Sequence, residues 1–149
     1  MRAPFQILGI PYKWEEGTLL YCVFRRADSD IWQFIAGGGE NNETPAEAAK
    51  REIFEESGVV TDSVKPLKSM CYIPSNIYRT EHRMGWDADL YVLPEYSFAY
   101  ECGEEIKLSH EHTEYVWLSY DDAVERLKYD SNRTALYELN CILTGYLNY

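Results

Sequence analysis

The sequence predicts an α/β fold in which a mixed sheet lies between helices. Short runs rich in aromatic and β-branched residues come first, and a capped helix follows them. Further strand-like runs and two helical stretches complete the chain, an order typical of a sheet covered by helices on both faces. The chain has 149 residues and no repeat or linker, so we expect a single domain over residues 1–149.

Strand-like runs before the first helix occupy residues 5–12, 18–26 and 32–36. Gly9 and Pro11 weaken the end of the first run. A polar segment connects that run to the second, which predicts a hairpin. The third run is expected to end at the three consecutive glycines that follow it.

The helix predicted over Pro45–Ser57 has signals at both ends. Thr44 is a good N-cap, proline suits the first helical position, and Glu47 completes a T-x-x-E capping box. Gly58 supplies the C-terminal stop.

Later elements are predicted from shorter patterns. Strands are expected over residues 67–73, 84–93 and 114–118, with a polar, aromatic loop between the first two. Helices are expected over residues 120–129 and 132–147, the second with leucines at helical spacing.

Charge and cysteine usage exclude several classes of protein. Fourteen Lys and Arg against 25 Asp and Glu give a net charge of −11, which disfavours binding to a nucleic-acid polymer. A small phosphorylated ligand stays compatible, because a bound divalent cation inverts the local sign of charge. No apolar run approaches the roughly 18 residues of a membrane span, and no secretory signal is recognisable. Four dispersed cysteines without a CxxC pair predict free thiols and a cytoplasmic protein.

Three carboxylates fall on one face of the predicted helix. Glu52, Glu55 and Glu56 lie within roughly one third of the helix circumference, where they repel one another unless a cation compensates them. Oxygen ligands suit Mg²⁺, with Mn²⁺ as a second candidate. The alternative is a solvated acidic face without a metal.

The glycine run precedes this helix and has complementary chemistry. Gly37, Gly38 and Gly39 let the backbone approach a ligand closely, and a carbonyl there can join the shell of a metal ion. Exposed backbone beside a carboxylate face suits a metal-bound diphosphate, although a glycine-rich turn alone is usually only a turn.

Residues 37–59 resemble the Nudix box, G-x5-E-x7-R-E-U-x-E-E-x-G-U, at every fixed position. The box begins at Gly37, places Glu43 after five residues and ends with the run REIFEESGV. The order of strands around it is also similar to the Nudix α/β/α sandwich. This resemblance implies a hydrolase that cleaves a nucleoside diphosphate linked to another group.

The resemblance also implies roles for individual residues. It implies a metal site formed by Glu52, Glu55, Glu56 and the carbonyl of Ala36. Arg51 and Glu43 would hold the loop and helix in register, and Arg51 thereby belongs to the predicted catalytic set. Metal-bound water would attack phosphorus in line.

A second resemblance is to the dihydroneopterin triphosphate diphosphatase (dATP pyrophosphohydrolase) branch. It is carried by FRRADSDIWQFIAGG, SHEHTEYVWL and YDSNRTAL. Glu111 lies six residues before Trp117, which corresponds to the glutamate proposed in that branch as general base or extra metal ligand. The tryptophan expected before Ser131 is absent, since Asp130 stands there. The general base is therefore predicted to be Glu52 or Glu111.

Substrate contacts are predicted at four positions. Arg26 could hold phosphate through its two-pronged guanidinium, or form a surface ion pair instead. Phe34 could stack on a base, or pack in the core. Gly37 and Gly38 would bring backbone close to the ligand.

The resulting prediction is a Mg²⁺-dependent hydrolase of a small nucleotide or pterin triphosphate. It would convert a dATP-like nucleoside triphosphate or dihydroneopterin triphosphate to the monophosphate and pyrophosphate. Alternative substrates are a dinucleoside polyphosphate, ADP-ribose or an oxidised nucleotide, and a non-catalytic nucleotide-sensing module is the rival from another class. No membrane or nucleic-acid polymer is expected as partner, and the oligomeric state stays open, a homodimer included.

Overall fold

The structure is a computed structural model that describes residues 1–145. These residues form one mixed sheet with helices on both faces, which confirms the predicted α/β class. The strands are β1 (Arg2–Glu15), β2 (Thr18–Arg26), β3 (Trp32–Gln33), β4 (Ile35–Glu40), β5 (Lys65–Pro74), β6 (Val92–Glu101) and β7 (His112–Leu118). The helices are α1 (Pro45–Ser57), α2 (Tyr120–Arg126) and α3 (Asp130–Thr144), and two short 3₁₀ turns cover Ser75–Ile77 and Thr80–His82.

Strand β1 organises the sheet because three other strands pair with it. Strands β2 and β4 run antiparallel to β1, whereas β6 runs parallel to it. Strand β5 extends the sheet beyond β6, and β3 and β7 both pair with β2. The parallel pair makes the sheet mixed, as predicted.

Alternate residues of β1 face opposite helix layers. Leu8 and Ile10 pack in a core with Leu136 of α3. Ile7 belongs to a separate cluster with Ala49 of α1. The period-two alternation of a strand therefore attaches α1 to one sheet face and α2 and α3 to the other. None of the helices within residues 1–145 has the length and apolar character needed to cross a membrane.

Helix α1 has the predicted bounds and both predicted caps. The Thr44 hydroxyl accepts a bond from the Glu47 N–H at 3.2 Å, and the Glu47 carboxylate accepts one from the Thr44 N–H at 2.9 Å. Gly58 ends the helix in the left-handed region, with φ 72°.

The predicted end of the third strand at the glycine run is wrong. The segment is interrupted at Phe34, and β4 then continues through all three glycines to Glu40. Strand β1 supplies the partners, with Ile7 opposite Gly37 and Gln6 opposite Gly38. Pairing with a neighbouring strand outweighs the weak strand propensity of glycine.

The strand predicted over residues 84–93 is also wrong. Residues 84–91 are irregular, with Gly85 at φ 94°, and the strand β6 begins at Val92. Glu95 and Ser97 are polar residues at buried positions of β6, so the sequence of this strand lacks the alternation of buried apolar and exposed polar residues that predicts a strand. Pairing with β1 and β5 makes this segment a strand.

The two C-terminal helices differ from the predictions at their ends. Helix α2 ends at Arg126 rather than at residue 129, because Leu127 has an extended backbone with ψ 135°. Helix α3 begins at Asp130 and ends at Thr144, with Gly145 as its left-handed cap. The predicted end at residue 147 lies outside the described residues.

Glu138 of α3 fastens an irregular part of the edge strand β5. Its carboxylate accepts bonds from the N–H groups of Lys68 and Ser69, both at 2.7 Å, and from the Ser69 hydroxyl at 2.6 Å. Burial opposes ionisation of Glu138, but these donors outweigh it and hold the pKa below its ordinary value.

Glu138→Gln is expected to destabilise the fold by about 1 kcal/mol at pH 7, because a charge-assisted contact becomes a neutral one. A lowered folded-state pKa adds stability above the ordinary glutamate pKa of about 4.3, and that stability is lost as pH falls through the folded pKa. Urea unfolding should therefore show a larger difference from wild type at pH 7 than at pH 3. The exposed Glu125→Gln serves as control, and an equal loss at both pH values would contradict the assignment.

Candidate active site

A cleft of about 600 Å³ opens on the sheet face that carries α2 and α3. Gln6, Leu8 and Glu95 belong to its sheet side, and Ser131 and Asn132 at the start of α3 also line it. Six of the residues predicted for the site line this cleft, namely Arg26, Ala36, Gly37, Gly38, Glu52 and Glu111.

Gly37 makes room for the carboxylate of Glu52. A Cβ atom added at Gly37 would lie 2.1 Å from Glu52 Cδ and 2.4 Å from both carboxylate oxygens. A side chain at position 37 would therefore force the Glu52 carboxylate to move, and glycine permits the close approach between β4 and this side chain of α1.

Gly38 makes room on the opposite side of β4. A Cβ atom added there would lie 2.7 Å from the Tyr78 hydroxyl. The carbonyl of Gly38 accepts a bond from the Arg51 guanidinium at 2.9 Å. The two adjacent glycines thus let β4 fit between Glu52 and Tyr78.

The Arg51 guanidinium connects strand β4, the loop between β4 and α1, and the acidic face of α1. Nε and one terminal nitrogen donate to the Glu43 carboxylate at 2.8 and 2.9 Å. The other terminal nitrogen donates to Glu52 at 3.0 Å and Glu55 at 3.2 Å. With the bond to Gly38, these contacts occupy the five donors of arginine. Arg51 does not line the cleft, so these contacts give it a positioning role, and its membership of the catalytic set stays a prediction.

Glu52 is a buried acid at the cleft wall. Its side chain is held between Gly37 and Arg51, and the residue is 6% exposed. Burial raises the pKa of Glu52 to about 7, against the opposing effect of the Arg51 charge. A carboxyl group with this pKa can accept and release a proton near neutral pH.

Glu56 lies deeper and is 3% exposed. Its carboxylate accepts a bond from the Ser109 hydroxyl at 2.8 Å, and His112 Nδ1 lies 3.1 Å from the same carboxylate oxygen. Burial alone would raise the pKa of Glu56, but these neighbours outweigh it and leave the pKa below its ordinary value. The His112 ring is itself buried and packs against Phe24.

Glu111 and Arg26 form another part of the cleft wall. Burial and the negative charge of Glu56 raise the pKa of Glu111. Its backbone carbonyl accepts a bond from the Ala27 N–H at 2.8 Å, which ties the segment to the end of β2. Arg26 donates two bonds to Asp28, both at 2.8 Å, so the alternative of a surface ion pair is present. Arg26 also lines the cleft.

The prediction that Phe34 stacks on a base is wrong for this structure. Phe34 is fully buried, at 0% exposure, in the core between the sheet and α3. Its backbone N–H donates to Asn132 Oδ1 at 2.9 Å. Glu55 is half-exposed and, like Glu56, does not line the cleft.

Several cleft residues were missed by sequence reasoning, namely Arg2, Gln6, Gln33, Glu95, Tyr129, Ser131 and Asn132. Polar residues inside strand-like runs were the available signal for Gln6 and Gln33. The S-N-R run gave a signal for Ser131 and Asn132, but no pattern links these segments to the box.

Comparison with known proteins decides the family. The sequence model of the NUDIX domain matches residues 13–139. The chain belongs to the Nudix family. A Nudix hydrolase structure from Listeria monocytogenes is 41% identical, covers 96% of both chains and has a TM-score of 0.84. The predicted family, and with it the predicted enzyme class of hydrolases acting on phosphoric anhydrides, is confirmed.

Two named branches of Nudix proteins resemble this chain more weakly. Dihydroneopterin triphosphate diphosphatase from Haemophilus influenzae is 29% identical over 114 residues, which cover 75% of this chain and 72% of that protein. The Escherichia coli dihydroneopterin triphosphate pyrophosphohydrolase has a TM-score of 0.72 at 24% identity, with 93% and 97% of the two chains covered. An RNA pyrophosphohydrolase from Halorhodospira halophila is 48% identical over 52 residues, which cover 35% of this chain and 28% of that protein.

Nudix hydrolases generally use divalent metal ions, and the donors present fit such an ion by their chemistry. Glu52, Glu55 and Glu56 all offer carboxylate oxygens as ligands. The space left by the missing side chain of Gly37, the Gly37 cradle, holds the Glu52 carboxylate against the β4 backbone. The side chains do not converge, since Glu52 and Glu55 turn to Arg51 whereas Glu56 turns to Ser109. Within residues 1–145 no group of three acid, histidine or cysteine side chains is arranged as a metal site.

Gly37→Ala is expected to displace the Glu52 carboxylate and to lower hydrolysis of the protein's best substrate by about 100-fold, the effect of a misplacement of about 1 Å at a catalytic site. Gly103→Ala is the matched control, because no atom lies within 4 Å of the Cβ added there. Steady-state kinetics with a thermal-unfolding check would measure both. Equal activity of the two variants would contradict the role of the cradle.

Proposed function

We propose that this Nudix protein hydrolyses a dATP-like nucleoside triphosphate or dihydroneopterin triphosphate to the monophosphate and pyrophosphate. The observation that carries the proposal is the single cleft in which Glu52, the paired glycines, Arg26 and Glu111 meet. The likeness to dihydroneopterin triphosphate diphosphatase over most of the chain favours this substrate class. The four free cysteines of this chain suit a cytoplasmic location.

The proposed cofactor is Mg²⁺, with Mn²⁺ as a substitute. Glu52, Glu55, Glu56 and the Ala36 carbonyl would hold it. When bound, a divalent cation neutralises phosphate charge and lowers the pKa of a water molecule.

The chain itself supplies positioning and charge. The Arg26 guanidinium can donate two parallel bonds to a phosphate group from its Nη1 and Nη2 atoms, because Asp28 occupies only Nε–H and one N–H of Nη2. Gly37 and Gly38 present backbone without side chains at the cleft, so a phosphate can approach closely. Arg51 keeps Glu52 in place from outside the cleft.

Two carboxylates are candidates for the base that takes a proton from the attacking water. Without a bound cation the pKa of Glu52 is about 7, and burial together with the charge of Glu56 raises the pKa of Glu111. Both line the cleft, so geometry allows either to reach the reacting water.

Other Nudix substrates are the alternatives, namely a dinucleoside polyphosphate, ADP-ribose or an oxidised nucleotide. A nucleotide-sensing module is the non-catalytic alternative, and the intact acidic residues of the box weigh against it. RNA is disfavoured as substrate, because the likeness to RNA pyrophosphohydrolases involves 28% of their length and this chain has a net charge of −11.

Incubation of the protein and Mg²⁺ with a panel of these compounds tests the proposal, with products identified by mass. Pyrophosphate and a monophosphate from a triphosphate are the expected products. Labelled water would show which phosphorus is attacked. Turnover of ADP-ribose or a dinucleoside polyphosphate alone, or no turnover at all, would contradict the proposal.

Glu56→Gln should keep the fold, because glutamine can still accept the Ser109 bond, yet lower kcat by about 100-fold or more through loss of a charged oxygen ligand. The exposed Glu105→Gln is the control. Kinetics at saturating Mg²⁺ would measure the effect, and near-normal turnover of the Glu56 variant would refute its assignment as a ligand.

Glu111→Gln should lower kcat by about 100-fold without changing the affinity for Mn²⁺, if Glu111 takes the proton. Glu114→Gln, an exposed change three residues later, is the matched control. Kinetics combined with Mn²⁺ titration separates the two effects. Unchanged kinetics in the Glu111 variant would transfer the role of base to Glu52.

A further inference from the structure

Four residues form one row across the sheet at the cleft. Gly38 of β4 lies opposite Gln6 of β1, which lies opposite Glu95 of β6, which in turn lies opposite Cys71 of β5. Residues in register on neighbouring strands place their side chains on the same sheet face. Gln6 and Glu95 both line the cleft.

Hydrogen bonds aim the members of this row at one another. The Gln6 amide donates to Glu95 Oε2, and the Cys71 thiol donates to Glu95 Oε1 at 3.5 Å. The Tyr78 hydroxyl, lying over Gly38, donates to Gln6 Oε1 at 2.9 Å. Tyr78 is itself fixed by an edge-on contact with the Trp86 ring, whose centroid is 6.0 Å away. The Glu95 carboxylate therefore has a defined orientation.

Glu95 is buried without a cationic partner. It is 5% exposed, and no ion pair in the described part of the chain includes it. A buried acid bonded only to neutral donors costs stability that an apolar residue would not. Each oxygen has one neighbouring donor and can accept another bond. Both neighbours donate, so the site is built around a carboxylate acceptor with free capacity.

We propose that Glu95, oriented by Gln6 and Tyr78, recognises the heterocycle of the substrate by accepting bonds from a ring N–H and the adjacent exocyclic amino group. Guanine and pterins present this pair of donors on one edge. Adenine presents an amino donor beside a ring-nitrogen acceptor, which faces a carboxylate oxygen unfavourably. The inference rests on the proposed function, because it assigns the phosphate end of the same ligand to the other part of the cleft. Of the two substrates proposed above, it selects dihydroneopterin triphosphate over the dATP-like nucleotide.

The rest of the cleft suits a flat ring at this position. Ile73, Pro74 and Ile77 line it together with Leu8 and the Tyr78 ring. Ile73 lies two residues from Cys71 on β5, on the same face of the sheet. Apolar side chains beside one oriented polar group are typical of a small-molecule site. Gly38 belongs to the row and adjoins Gly37, so ring recognition and the Glu52 cradle share one cleft.

Calorimetric titration tests this recognition without turnover, with EDTA present. The probes are GMP, 7,8-dihydroneopterin monophosphate and AMP. We expect wild type to bind GMP or the pterin at least about 10-fold more tightly than AMP, the effect of one well-made donor–acceptor set. The probe that binds more tightly, GMP or the pterin monophosphate, identifies which heterocycle the site recognises. Equal affinity for all three would overturn the inference.

Glu95→Gln replaces one acceptor by a donor, which matches the adenine edge. We expect the preference of this variant for GMP or the pterin monophosphate over AMP to be at least about 10-fold smaller than that of wild type. Its melting temperature should be unchanged or higher. Glu101→Gln, an exposed change on the same strand, should leave all affinities unchanged. Tyr78→Phe removes the hydroxyl that aims Gln6 and should reduce the preference to a smaller extent. Equal weakening of all probes in both Glu95→Gln and Tyr78→Phe would overturn the inference.

Hydrolysis of GTP, ATP and dihydroneopterin triphosphate separates this inference from the proposed function. If no triphosphate is hydrolysed but the monophosphates are discriminated through Glu95, the proposed function fails and the recognition stands. If triphosphates are hydrolysed with the same relative kcat/KM in wild type and Glu95→Gln, the recognition fails and the function stands.

Discussion

The candidate site depends on a single guanidinium group. Arg51 satisfies its donors with two carboxylates of its own helix, with Glu43 in the preceding loop and with the carbonyl of Gly38 on β4. Charge-assisted contacts of this kind fix distance and orientation together. The loop, the acidic helix and the glycine strand are thereby held in one arrangement, with Glu52 against Gly37.

Arg51 also changes the reasoning about the acidic helix. Three carboxylates on one face need compensation, and the sequence suggested a metal ion for that purpose. The structure shows that Arg51 compensates Glu52 and Glu55, whereas Ser109 and His112 contact Glu56. Crowding of charge therefore does not by itself require a cation. The proposal of a metal rests on the oxygen donors, the Gly37 cradle and the Nudix family.

Signals within a few residues of one another correctly predicted the element that depends on local contacts, helix α1. The capping box and Gly58 gave α1 its correct bounds, because the caps act within one turn of the helix. Strands β4 and β6 were misplaced, since pairing with β1 decides them and no short pattern reveals that pairing. The same limit explains the site. Residues of the box were found, whereas Gln6 and Glu95 meet only through strand register, and the burial of Phe34 depends on how α3 packs.

The most direct test is the anomalous diffraction of crystals soaked in MnCl₂. The account predicts a peak about 2.0–2.2 Å from carboxylate oxygens of Glu52 and Glu56, with at least one side chain rotated from the orientation described above. A crystal in which Glu52 and Glu55 stay on Arg51, Glu56 stays on Ser109 and no peak lies beside Gly37 would contradict it.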